Sequence, residues 1–294
     1  MSTELQRPTV PAIADDTSMG PVTLHVADLD GMTAYYRDVL TLQVLSAQGP
    51  VVTLGRGGRP LVVLRHGPDL AAASPGHAGL FHTALLVESP AALAAALASE
   101  ARHGAATSTG AADHLVSLAF YLTDPEGNGV ELYVDRPRER WDWHGGQVQM
   151  ATLPLDPDTV IARHLAPEPA PEQDGAVVGH VHLQVGDIAT ARAFYVDVLG
   201  FTPTFEMSSA LFVSAGGYHH HMAMNTWRSA GAARRPVTLG LGQVTIEVPT
   251  ADDLGQVGER LAARGIPSRD DGRRLSVDDP WGNLVMLEVQ EASA

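Results

Sequence analysis

The chain has 294 residues, 45% of them hydrophobic, and a formal charge of −15 with histidine neutral. That acidic balance argues against a nucleic-acid or anionic-membrane surface, and no apolar run approaches the roughly 20 residues of a membrane span. There is no cysteine, so disulfides, thiolate metal sites and cysteine nucleophiles are excluded and any metal must take nitrogen and oxygen ligands.

Residues 1–18 lack a signal peptide's apolar core and read as a flexible N-terminus, so a cytoplasmic protein is expected. A short alternating strand, Val22 to Val26, then runs into Asp28, and apolar residues recur at helical spacing up to Leu40. The same pattern returns 159 residues later without a gap: Val181 to Val185, Asp187, and a helix to Leu199, with Tyr195 matching Tyr36 and Phe201 matching Leu42. Each Asp is placed to cap its helix. The two tyrosines recur with the helices and read as packing residues.

A second pair of segments matches more weakly. Strands over Phe81 to Val87 and Gly242 to Val248 are each followed by a helical stretch, 91–103 and 251–264. Each copy closes with an Asp-Pro-x-Gly-Asn turn, Asp124 to Asn128 and Asp279 to Asn283, and a last strand. In the first copy Glu131 stands inside an apolar alternation, between Val130 and Leu132, where its repeat has Met286. A carboxylate there is costly to bury unless something positive faces it, and a metal ion held with histidines would serve. Residues 136–176 read as a surface linker carrying a short helix from about Asp156, with Trp141, Trp143 and His144 as its packing anchor. A strand, a helix and further strands thus occur four times, over about 20–66, 80–135, 178–226 and 240–290.

Four such units with this turn before the last strand resemble the vicinal oxygen chelate superfamily of glyoxalases, bleomycin-resistance proteins and extradiol ring-cleavage dioxygenases. Phe81 to Leu86, Asp113 to Ser117, Tyr121 to Tyr133, Gly179 to Val185 and Gly216 to Trp227 are similar to the two-domain catechol 2,3-dioxygenase-like proteins. The resemblance covers Pro21 to Val289. It implies an α+β fold of four βαβββ modules in two curved mixed β-sheet domains, 19–135 and 177–294 on either side of the linker, with a divalent metal on a concave face.

In that superfamily, paired modules supply one ligand from the first strand of each and a carboxylate from the last strand of one. The matching positions here are Pro21, His82, His180 and Gln243, with Glu131 and Met286 at the carboxylate position. The third module with the fourth gives His180, Gln243 and Met286; the first with the second gives Pro21, His82 and Glu131. Only the second with the third gives His82, Glu131 and His180, two histidines and a carboxylate, the facial triad of non-haem iron(II) oxygenases. This choice requires the first module to pair with the fourth. His182 shares a strand face with His180 and competes with it, and Glu288 is a weaker rival to Glu131.

The resemblance also implies groups beside the metal. His220, within His219-His220-His221, matches the family's catalytic histidine best, and strand alternation would turn His219 and His221 to the other face. Tyr121 matches a tyrosine that contacts the ring-bound hydroxyl, and His114 is expected to line the pocket. The leading reading is an extradiol dioxygenase opening a small catechol-like aromatic substrate with O2 and iron(II), with manganese(II), nickel(II) or zinc(II) as other candidate metals. A glyoxalase-like metal-dependent isomerase or lyase, and a non-catalytic drug-binding protein, stand as rivals. Neither nucleic acid nor membrane is an expected partner, and a homo-oligomer is compatible with the fold.

Overall fold

A computed structural model describes residues 10–103, 108–165 and 175–291. Its two nine-stranded mixed sheets are open rather than closed into barrels. Each βαβββ module follows one plan, in which the first strand lies parallel to the last and the strands between run outwards to the sheet edge. Thus Val22–Val26 pairs parallel with Arg59–His66, Gly79–Val87 with Gly129–Asp135, Ala176–Gln184 with Met222–Asn225, and Gly240–Val248 with Leu284–Val289. Parallel neighbours need a crossover, and the helix after each first strand supplies it.

Modules then join in twos through their first strands. Gly79–Val87 runs antiparallel to Ala176–Gln184, and Gly240–Val248 antiparallel to Val22–Val26. The second module therefore shares a sheet with the third and the first with the fourth, so residues 19–135 and 177–294 each give one module to each sheet. This is the pairing that unites His82, Glu131 and His180.

Local chemistry explains the elements. Asp28 and Asp187 accept hydrogen bonds from the Gly31 and Thr190 amides and cap their helices, and Thr250 and Asp253 form a reciprocal capping box. The helix Pro90–His103 begins on its proline, whose missing N–H costs nothing in a first turn. The first helix is shorter than its pattern suggests: Leu29–Ala34 is α-helical, and Tyr35–Val39 widens into a π turn that keeps both tyrosines buried. Strand alternation sends Leu85, Leu132, Val181 and Leu183 into the main core beneath the helices, and leaves the opposite, concave face of the second sheet free for polar groups.

Two expectations need correction. Residues 10–18 are docked rather than flexible: Ile13 is buried and donates its amide to the Gly200 carbonyl, and Ser18–Met19 adds a short strand beside Gly240–Val248. Residues 1–9 lie outside the described residues. The linker is not a surface wanderer either. Its strand Leu153–Pro154 extends the second sheet against Ser108–Asp113, and its helix Pro157–His164, capped by Asp156, packs on Pro90–His103. Trp141 is buried there as an anchor, whereas Trp143 and His144 are exposed. Among the described residues no helix is long and apolar enough to cross a membrane.

Candidate metal centre

The two first strands of the second sheet set His182 directly opposite His82 and His180 opposite Ala84. Glu131, on the parallel neighbour Gly129–Asp135, pairs with Ala84 on one side and Tyr121 on the other. All of these side chains share the concave face. A register shift between Val178 and His180 falls at Gly179, where an added Cβ would lie 1.7 Å from Tyr133 Oη. Glycine there is what lets Tyr133 pass beneath the strand and reach His180, at 5.0 Å between ring centres.

His82 Nε2 and His180 Nε2 stand 3.0 and 3.1 Å from the same oxygen, Glu131 Oε2, and none of the three residues is more than 5% exposed. One ligand atom from each lies within 4.8 Å of the others. In spite of its distance, His82 Nε2 makes no hydrogen bond of acceptable geometry and is sealed from solvent. Metal bonds of about 2.1 Å leave neighbouring ligand atoms about 3.0–3.4 Å apart, so the edges found here leave room for a cation between them. The orphaned nitrogen and the two short edges fit a divalent cation that these three residues would hold.

Charge agrees with geometry. Burial on its own would push the Glu131 carboxyl up, but His180 and then His82 outweigh it and hold the group well below the usual carboxylate range. Burial lowers His180 to about 4 against the pull of Glu131, and lowers His182 well below an ordinary histidine. A cation would take the place of the proton between His180 Nε2 and Glu131, and the lowered His180 favours that exchange. His182 is drawn away from the triad by the Asn225 side-chain amide, 2.9 Å from its Nε2. Glu288 lies in the other sheet, bonded to Arg274, and cannot join the group.

A cavity of about 710 Å³ opens over the triad, with Phe81, Phe205, Phe212, Met207 and Trp227 along one side and Met150 to Thr152 of the linker along another. His114 Nδ1 lies 2.7 Å from the Ala151 carbonyl, which can only accept, so Nδ1 carries the proton and His114 Nε2 accepts from the Tyr121 hydroxyl at 2.6 Å. Tyr121 is thereby oriented with its oxygen lone pairs free, and burial followed by the Glu131 charge raises its hydroxyl far above the usual range. His220 lines the same cavity with its ring centre 4.1 Å from that of His180.

All six sequence-predicted residues thus border one space. The triple histidine is not on a strand, however: the strand is Met222–Asn225, and 219–221 form the irregular approach to it. Of the three only His220 borders the cavity; His219 is buried behind it, and His221 Nδ1 accepts from the Ala215 amide at 3.2 Å. Asp135, bonded to His219, was missed, although it shares the strand parity of Glu131 and Tyr133.

A sequence profile described as the Glyoxalase/Bleomycin resistance protein/Dioxygenase superfamily matches residues 18–132 and 177–287. The chain belongs to this superfamily. Among superfamily relatives, catechol-2,3-dioxygenase of Bacillus subtilis (strain 168) is 36% identical over 286 residues, which cover 95% of this chain and 99% of that protein. Biphenyl-2,3-diol 1,2-dioxygenase 3 of Rhodococcus globerulus is 29% identical over 118 residues, 38% of this chain and 62% of its own length. The crystal structure of glyoxalase I from Zea mays shares the superfamily fold, with a TM-score of 0.57 at 17% identity over 93% of this chain and 92% of that one.

Proposed function

We propose that the chain is an extradiol ring-cleavage dioxygenase, with His82, Glu131 and His180 holding iron(II) and a catechol-like molecule as substrate. The observation that carries this reading is the buried triad of two imidazoles and one carboxylate, three ligands on one face under an aromatic-walled cavity. When bound, iron(II) would supply open positions for the two vicinal oxygens of a catechol and for dioxygen, and would pass electron density between them. The similarity to the Bacillus and Rhodococcus dioxygenases supports the same reaction class. A glyoxalase-like isomerase usually offers a metal four protein ligands; among the described residues the group has three, with a single carboxylate.

The chain's own residues have distinct tasks. Phe81, Phe212 and Trp227 offer flat apolar surface against a substrate ring and keep water from it. Tyr121, fixed by His114, presents an oxygen that can accept a proton from a substrate hydroxyl while its own proton moves towards His114 Nε2. His220, beside His180, borders the same cavity as a second proton acceptor.

The test is anaerobic reconstitution with iron(II), followed by a panel of substituted catechols and air. Oxygen uptake matched by a yellow ring-opened product is expected. Stoichiometric metal binding with no oxygen uptake across the panel would overturn the reading.

A further inference from the structure

The polar atoms behind His220 form one hydrogen-bonded chain, and its polarity can be read from its far end. Asp135 Oδ1 lies 3.0 Å from His219 Nε2, and Asp135 Oδ2 accepts from the Tyr218 hydroxyl at 2.9 Å, with Tyr133 Oη 2.7 Å beyond. A carboxylate can only accept, so His219 Nε2 carries a proton. On the other side of the ring, His219 Nδ1 is 2.7 Å from His220 Nδ1. His219 is 1% exposed, covered by the rings of Tyr218 and Trp141 at 4.0 and 5.2 Å, so water cannot take either nitrogen's place. An imidazole that donates its Nε2–H to a carboxylate can turn an Nδ1 lone pair to its other neighbour, and the 2.7 Å contact lets His220 donate to it.

We infer that Asp135 and His219 are positioning residues that lock His220 in its Nδ1–H tautomer and so leave the cavity-facing Nε2 unprotonated as a base. A deprotonated Nε2 is what proton transfer from a substrate needs, and an imidazole in the other tautomer would present a donor instead. The inference deepens the dioxygenase reading and rests on it for the base's use, while the tautomer itself is a property of the chain alone. It also gives the linker a task, because Trp141 seals the relay and Arg138 lies 5.2 Å from the Tyr218 ring over the same stack.

The decisive measurement is long-range proton–nitrogen correlation on imidazole-labelled, metal-free full-length protein near pH 7.5, with His220 assigned by its loss in His220→Gln. His220 is expected as Nδ1–H and His219 as Nε2–H. His220 as Nε2–H, or a doubly protonated His219, would reverse the bond and overturn the proposal. In His219→Gln the side-chain amide can still donate to Asp135 while its oxygen accepts from His220, so the His220 tautomer is expected to persist; in Asp135→Ala it is expected to become mixed.

In the iron(II)-loaded protein, His219→Phe should lower kcat about 100-fold or more with KM within about threefold, and His219→Gln should keep kcat within about tenfold of the parent. Equal losses in the Gln and Phe variants would reject the positioning role. Should the parent show no catechol oxidation at all, the dioxygenase reading fails, and the nitrogen spectra still decide the tautomer.

Discussion

Replacing Glu131 by glutamine keeps the side chain's shape and removes the charge on which two imidazoles converge. Outer-sphere partners of metal ligands already contribute about 10–100-fold to affinity, so loss of a direct ligand should weaken iron(II) binding by more than about 100-fold. Titration calorimetry on Glu131→Gln is the check; retention of parental affinity would remove Glu131 from the centre. His221 offers a separate test, outside the triad. Its Nδ1 accepts from the Ala215 amide, and burial lowers it to about 3. The folded-state value lies below the unfolded value of 6.5, so the unfolded chain binds the extra proton first and stability drains as pH falls from about 6.5 towards 3. The stabilisation is whole above that window. His221→Asn keeps an acceptor that does not titrate, and between pH 6 and 4 its unfolding free energy should fall less steeply than the parent's, by up to about 1.4 kcal/mol per pH unit. Parallel slopes in urea titrations would count against it.

Tyr36 and Tyr195, which read as mere packing in the sequence, turn out to tie the two sheets together. The hydroxyl of Tyr36 donates to Asp124 Oδ2 and that of Tyr195 to Asp279 Oδ2, each at 3.0 Å, so a helix of one sheet grips the Asp-Pro-x-Gly-Asn turn of the other. The grip is reciprocal. Within each turn the same Asp also accepts from the Asn128 or Asn283 amide, which makes it the turn's hub and explains why the motif is so regular. Tyr36→Phe and Tyr195→Phe should each cost about 1–3 kcal/mol in urea unfolding, and because they share no partner the double variant should cost the sum to within about 0.5 kcal/mol. Strong non-additivity would mean the two ties act as one. The modules themselves were legible because capping residues, hub turns and alternating strands are local chemistry, and the triad followed from the ligand positions that the superfamily resemblance implies, once Pro21, Gln243 and Met286 ruled out the other pairings. Of the linker, the helix from Asp156 and the Trp141 anchor were legible, but the docking of Met150 to Thr152 over the cavity was not, since it depends on partners far along the chain. The His219–Asp135 bond spans 84 residues, and its histidine sits in an irregular approach where alternation does not apply.

Taken together, the four modules close into a ring. The second joins the third and the fourth joins the first through antiparallel first strands, while the Tyr–Asp ties join the first to the second and the third to the fourth. Neither half of the chain is therefore a self-sufficient body. Residues 19–135 expressed alone would present Val22–Val26 and Gly79–Val87 as unpaired apolar edges and would lack His180. Such a fragment should aggregate or pair with itself and bind no iron(II) at one per chain, whereas co-expression with residues 136–294 should restore both solubility and metal binding. A dispersed, cooperatively unfolding monomer from the first half would refute the ring. The same joint, where the His82 strand meets the His180 strand, gives the centre a place in the timing of synthesis. His180 leaves the ribosome 49 residues after Glu131. At about 5–20 residues per second that interval is roughly 2–10 s, during which Glu131 and His82 wait on neighbouring strands and the outer edge of Gly79–Val87 stays unpaired. On the proposed reading, capture of a metal would be deferred until the third module has been made and docked, and a filled centre would certify that the strands of both halves have met.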